Sequence, residues 1–325
     1  MQHASWIGYA YLAIALSEPW MKGKLPILLM FIIFIGMQLL ALALVPLYPS
    51  DYQAFPNAND PTNPIIYVVM LLVMTGLMLV LIKFGLGKII KAIFVFAVGT
   101  TTFVVMLPIL YQIIPNTDFA IYGSITIGLV LIALLLLKPE WYVVNTIGFI
   151  IGLGAAILLG LSFSILPVLI LLIALAVYDA ISVYKTKHMI ALADGVVPLK
   201  LPVVFVIPKK RDFSMSKLEN MHIASEPPEE REAMFMGVGD AVIPSILAVS
   251  AAVFLPAVAG SIPDANILVA IGTVAGSTVG FFALMTYVIK GNPQAGLPLL
   301  NGGAIIGYLL TYLLVFQNLS FGISL

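Results

Sequence analysis

Runs of about twenty apolar residues alternate with short polar breaks along the whole chain, and a run of that length crosses a hydrocarbon core of about 30 Å as a helix. Nine such spans are read, at 26–47, 64–82, 92–113, 121–137, 141–160, 164–184, 233–256, 266–289 and 297–317. No water is available at that depth to satisfy an open backbone, so the spans are predicted to be helices packed as a bundle. The expected fold class is an all-α membrane protein with nine transmembrane helices. Before the first span, the stretch 6–16 is short for a crossing and has no basic residue ahead of it. It is expected to lie at the interface or insert partly, with a short tenth span or a cleaved signal as the other readings.

One break is long. Residues 185–232 hold Pro198, Pro202, Pro208, Pro227 and Pro228 and a mixed charge run from Lys209 to Glu232, and an insertion of that length in a compact bundle is usually functional or disordered. It divides the chain into a six-span part (1–184), a cytoplasmic loop (185–232) and a three-span part (233–325). Inside the loop, 203–207 is β-branched and aromatic and bounded by prolines. It reads as a short strand, or as a loop segment lying on the membrane surface. No sequence repeat of the kind that marks inverted transporter halves is visible.

Composition agrees with a lipid solvent. Hydrophobic residues make up 62% of the chain and charged residues 9%, against roughly half and a quarter in globular domains. No basic patch or dyad alternation appears, which disfavours nucleic-acid binding and an outer-membrane barrel. The absence of cysteine excludes disulfides and thiol chemistry. All 15 Lys and Arg residues fall in alternate loops or ahead of span one, and the intervening loops carry only acids such as Asp51, Asp60, Asp118 and Asp264. Basic residues collect on the cytoplasmic side, so the N-terminus is expected inside and the C-terminus outside, in a multi-pass protein of the cell membrane.

Two of the 15 acidic residues fall inside apolar helices, Asp179 in ALAVYDAISVY and Asp240 in MFMGVGDAVIP. A carboxylate at depth is costly and marks a functional site by default. Counted at about 1.5 Å per residue, Asp179 is about 9 Å from the cytoplasmic end of span six and Asp240 about 12 Å from the same end of span seven. If the two spans are neighbours, one water bridges both carboxyls. Two such groups in low dielectric share a proton and titrate together, which supplies a base to activate water and an acid to protonate a carbonyl or a leaving amine. Two other readings remain: a buried pair kept for packing, and a proton or cation relay in a transporter or leak channel.

The flanks of Asp240 favour catalysis. Gly237 and Gly239 carry no side chain, so another backbone can approach. Pro244 leaves the Asp240 carbonyl without its helical partner. Metal-dependent proteolysis in the membrane needs ligands there, and His3, His188 and His222 all lie outside the spans; a serine nucleophile would equally need an in-membrane histidine. No metal and no cofactor is expected.

Tyr178-Asp179 in one span and Gly237-Val238-Gly239-Asp240 in the next resemble the YD and GxGD motifs of presenilins and signal peptide peptidases. The continuation Gly239-Asp240-Ala241-Val242-Ile243-Pro244 resembles signal peptide peptidase in particular. Motif order, nine spans and a long loop between the aspartates match as well, over most of the chain. The family's Pro-Ala-Leu motif is not intact. Ala295-Gly296-Leu297, followed by Pro298, stands where it would be, with small residues in place of Pro and Ala.

The resemblance implies a presenilin-like fold and hydrolysis of peptide bonds in transmembrane segments of other proteins. Asp179 and Asp240 would be the catalytic residues, and Tyr178, Gly237, Gly239, Ala295, Gly296, Leu297 and Pro298 would position the substrate. Partners would be substrate spans and the bilayer. Microbial presenilin-like proteins act without partner subunits, so none is expected to be obligatory. Prepilin peptidases also use GxGD but resemble shorter chains with a different first-aspartate motif. A substrate helix must unwind before it can be cut, and its extended strand is expected to pair with 203–207 on one side and 295–298 on the other. Gly272, Gly276 and Gly280 repeat every four residues in span eight, a smooth face expected to pack inside the bundle rather than form a dimer.

Overall fold

The computed structural model describes residues 19–186, 197–210, 213–216, 232–257, 263–289 and 294–323. The stretch 6–16 and most of the charged loop therefore lie outside the described residues. Nine long helices run through the rest: α1 Pro19–Leu44, α2 Asn63–Lys83, α3 Gly87–Ile113, α4 Thr117–Leu137, α5 Trp141–Ser162, α6 Ile165–Ile181, α7 Val238–Phe254, α8 Ala265–Ile289 and α9 Leu297–Phe316. Eight of them are long and apolar enough to cross a membrane. The exception, α7, has 17 residues, or about 25 Å at 1.5 Å per residue, a few ångströms short of the usual core.

The short α7 corrects the expected span at 233–256. Residues Ala233–Gly237 form a strand, β2, which pairs antiparallel with β1, Val204–Pro208. The expected strand at 203–207 is thus present one residue later. The run AMFMG is apolar enough for either a helix or a strand, and the partner strand decides. α1, α3 and α4 also begin four to seven residues before the expected positions 26, 92 and 121, because the lysines and acids ahead of the apolar runs are admitted into the first turns.

Helices α5 and α7 form the centre. Ala241, Ile246, Leu247, Ala248, Val249 and Ala251 of α7 are fully buried, as are Ala156 and Ile157 of α5. By contrast α2 turns Ile65, Met70, Val73 and Leu77 outward, which in a lipid solvent costs nothing. Helices α8 and α9 meet backbone to backbone. The glycine face of α8 packs inside the bundle, with a methyl on Gly276 running into the Gly303 carbonyl and one on Gly280 into the Leu299 carbonyl.

Contacts sort the connections into two ends. At one end Ala54 N–H donates to Ser162 Oγ at 2.7 Å, Ser164 N–H to the Ala58 carbonyl at 3.0 Å and Ser250 Oγ to the Phe163 carbonyl at 2.8 Å. At the other, the α2–α3 turn touches the segment before β1 through Gly87 and Leu199, and the β1–β2 ribbon lies against the start of α5. There Val206 N–H donates to Asn145 Oδ1 at 2.8 Å, and Asn145 Nδ2 donates to the Val206 carbonyl at 2.9 Å. Left unpaired in apolar surroundings, each of those backbone groups would cost about 1–3 kcal/mol.

Candidate active site

Both aspartates lie at the ribbon end. Helix α6 is apolar from Ile165 to Val177, and Asp179 stands two residues before its α-helical part ends. The chain then widens into a π-turn over Ser182–Thr186, a form that occurs mostly as short bulges at functional sites. Ser182 Oγ donates to the Asp179 carbonyl at 2.9 Å, holding the widened turn to the helix. The Asp179 side chain is 6% exposed.

Asp240 is reached differently from the expected helical rise. Because β2 occupies 233–237, Asp240 sits in the first turn of α7 rather than two turns deep. Gly237 is the residue that caps the helix, and its N–H is directed at the Asp240 carboxylate three positions on. This is the return half of a capping box. The local sequence thus folds Asp240 back over the helix start and leaves it half-buried.

The start of α9 completes the site. Leu297 N–H donates to Asp179 Oδ2 at 3.0 Å, with the Gly296 N–H directed at the same carboxylate. On Gly296, a Cβ would stand 3.5 Å from Asp240 Cγ and from both of its oxygens. The Gly296–Leu297 backbone therefore lies between the two carboxyls, which are close enough for their charges to interact. Pro298 occupies the first turn of α9, where its missing N–H is no loss. The adjoining Ala295 N–H donates to Tyr184 Oη at 3.2 Å.

The sequence-predicted residues separate into those at the carboxyls and those beside them. Asp179, Asp240, Gly237, Gly296 and Leu297 meet directly, and Ala295 and Pro298 flank them. Tyr178 is half-buried on α6. Gly239 is exposed, and a Cβ there would meet nothing within 4 Å. Among the described residues no backbone approaches over Gly239; the close approach to Asp240 comes from Gly296 instead.

Sequence reasoning missed Tyr184, Asn145 and the outer edge of β2. Tyr184 is a surface-type residue beside lysines and gave no signal. Asn145 is a lone amide in an apolar span, a weaker signal than a charge at the same depth. The ribbon's ladder bonds join Val238 N–H to the Val203 carbonyl at 3.0 Å and Lys209 N–H to the Glu232 carbonyl at 2.8 Å. With the register Val206↔Phe235, the outward groups of β1 are those of Val204, Val206 and Pro208, and those of β2 are Ala233, Phe235 and Gly237. Asn145 takes both groups of Val206, Pro208 has no N–H, and the N–H and carbonyl of Val204 have no partner among the described residues. Gly237 N–H is turned to Asp240. The N–H and carbonyl of Ala233 and Phe235 have no partner among the described residues. On the expected pairing edge at 203–207 Asn145 thus closes Val206, while β2 carries open groups at two successive outward positions.

Among the described residues no three His, Cys, Asp or Glu side chains gather as metal ligands. Two carboxyls on either side of one backbone segment, with open space over Gly239, can hold a water and pass its proton between them. From residue 28 to residue 317 the sequence matches the signal-peptide peptidase, presenilin aspartyl protease family. A presenilin family intramembrane aspartate protease solved in space group C222 is similar at 35% identity and a TM-score of 0.65, over 89% of this chain and 99% of that one. A second such structure, in space group P2, has 36% identity and a TM-score of 0.63, over 89% and 98%. No curated protein matches the chain.

Proposed function

Because the chain belongs to the signal-peptide peptidase and presenilin family of intramembrane aspartyl proteases, we propose that it hydrolyses peptide bonds within transmembrane segments of other membrane proteins, using Asp179 and Asp240. The observation that carries this reading is the Gly296–Leu297 backbone lying between the two carboxyls, with the Leu297 N–H bonded to Asp179 and Gly296 so close to Asp240 that a Cβ on it would stand 3.5 Å away.

One carboxyl is ionised and takes a proton from water as the oxygen attacks the scissile carbonyl carbon. The other is protonated and hydrogen-bonds to the carbonyl oxygen as it gains charge. When the C–N bond breaks, the proton taken from water goes to the leaving amine. The amide contacts to Asp179 orient its oxygens, and the capping contact from Gly237 does the same for Asp240. No metal, cofactor or partner subunit enters these steps.

A helical substrate shields its peptide bonds, so an extended segment must form near the aspartates. The unpaired Ala233 and Phe235 groups of β2 supply partners for that segment. The distribution of lysines and arginines supports placing this end of the bundle, and the N-terminus, on the cytoplasmic side of the cell membrane. Nothing among the described residues favours the transporter reading.

The test is incubation of the detergent-solubilised protein with a panel of single-span proteins, beside Asp240→Ala. Cleavage of at least one by the wild type and of none by the variant is expected. Equal behaviour of the two would sink the proposal.

A further inference from the structure

Asn145 lies one turn into α5 and is 8% exposed. Its amide does for β1 what a third strand would do, accepting from the N–H of Val206 and donating to its carbonyl. Directly across the ribbon from Val206 is Phe235. In this register both residues turn their backbone groups outward, Val206 toward Asn145 and Phe235 toward the open edge. Asn145, Val206 and Phe235 stand in one row.

The same face of α5 also fixes the ribbon to the helix that carries Asp240. Gly148, three residues on, lies where a Cβ would be 3.3 Å from both the Pro202 carbonyl and Val238, and a Cβ on Gly152 would be 2.9 Å from Val238. Val238 in turn donates its N–H to the Val203 carbonyl, and Asp240 is two residues further. One helix face therefore sets the position of β1, of the first residue of α7 and, through the ladder, of the open edge of β2.

Resting on the proteolytic reading above, we infer that Asn145 is a positioning residue for the reaction. By filling the outward edge of β1 at Val206 it leaves β2 as the edge on which an extended substrate pairs, and it pins the register of that edge against Asp240. Without the amide, β1 is free to shift, and its outward groups at Val206 open beside those of Val204. Substrates then pair in more than one register, so the bond presented to the aspartates varies.

Asn145→Leu keeps the side-chain volume and removes both bonds. Its KM for a single-span test protein is expected to rise about tenfold with a smaller change in kcat, the scale of a lost pair of net hydrogen bonds. Mass spectrometry of the products is expected to show cuts spread over neighbouring bonds. Binding of a short hydroxyl-containing transition-state mimic, too small to reach β2, stays at the wild-type level. An asparagine that only stabilised the bundle would lower the melting temperature and leave the cut site where it was, so a single wild-type cut with unchanged KM in the folded variant overturns the inference.

Should the variant not fold, hydrogen exchange on the wild type decides. The Val206 amide is expected to be protected in the free enzyme, and the Phe235 amide to gain protection only with an uncleavable single-span analogue. Protection of Phe235 without substrate, or of Val206 only with it, overturns the inference. Failure of the proteolytic reading would look different: no test protein would be cut even by the wild type.

Discussion

Leu297, the first residue of the last helix, donates its backbone N–H to the Asp179 side chain of the sixth at 3.0 Å, across 118 positions of sequence. The bond joins α6 to the start of α9, at the point where Gly296 comes close to Asp240. It spends one of the N–H groups that every helix start leaves open on orienting a carboxyl.

Replacing either acid separates that structural task from the chemistry. Asp179→Asn keeps an acceptor for Leu297 N–H and Asp240→Asn keeps one for Gly237 N–H, so both variants are expected to fold. Each loses half of the acid–base work, and cleavage should fall by at least about a hundredfold. The wild-type rate should be bell-shaped in pH, reporting two macroscopic values of the pair. Melting temperature and cleavage measured together check this, and wild-type turnover in either variant would remove the aspartyl mechanism.

The glycines next to the pair offer a cleaner probe. At Gly296 a methyl would stand at ordinary contact distance from Asp240, and the φ of −78° is open to any residue. Gly296→Ala is therefore expected to fold normally while its methyl covers the face of Asp240, lowering kcat/KM on the order of a hundredfold, as small displacements of reacting groups do. Gly239→Ala meets no atom of the described residues, so a loss of activity there reports crowding of substrate. Full activity in both would show that substrate does not pass over Asp240 between these glycines.

The strand edge can be tested with proline at two positions. Phe235→Pro removes an outward N–H from β2 and spares the ladder to β1, as proline on an edge can. Val204→Pro removes an outward N–H from β1, on the side that Asn145 already occupies. Cleavage should fall sharply for Phe235→Pro and much less for Val204→Pro, at similar melting temperatures. The reverse order would return the docking edge to β1.

Stability should respond most at the α8–α9 seam. In Gly276→Ala the added methyl runs into the Gly303 carbonyl, and the seam has backbone rather than flexible side chains to move. Overpacking of this kind costs typically about 1–3 kcal/mol. A lowered melting temperature in detergent is expected, with residual cleavage by the folded fraction, and a variant as stable as the wild type would contradict the seam.

Much of this molecule could be read along the chain. Membrane thickness sets a length of about twenty residues for each apolar run, so the helices of α1 to α6, α8 and α9 were visible without any tertiary information. Asp179 and Asp240 stood out for a related reason, since an acid in an apolar run is too costly to be incidental. Other features needed the folded chain. Residues 233–237 are as apolar as the helix that follows, and hydrophobicity is satisfied by either backbone form. Only pairing with β1 turns them into a strand and brings Asp240 to the first turn of α7. Closure of β1 at Val206 depends on Asn145, 61 positions before it, and the placing of Gly296 against Asp240 depends on where α9 packs. Apolar length is a property of consecutive residues and is written locally, whereas a hydrogen-bond partner or a close backbone approach is a relation between distant segments, which packing alone decides.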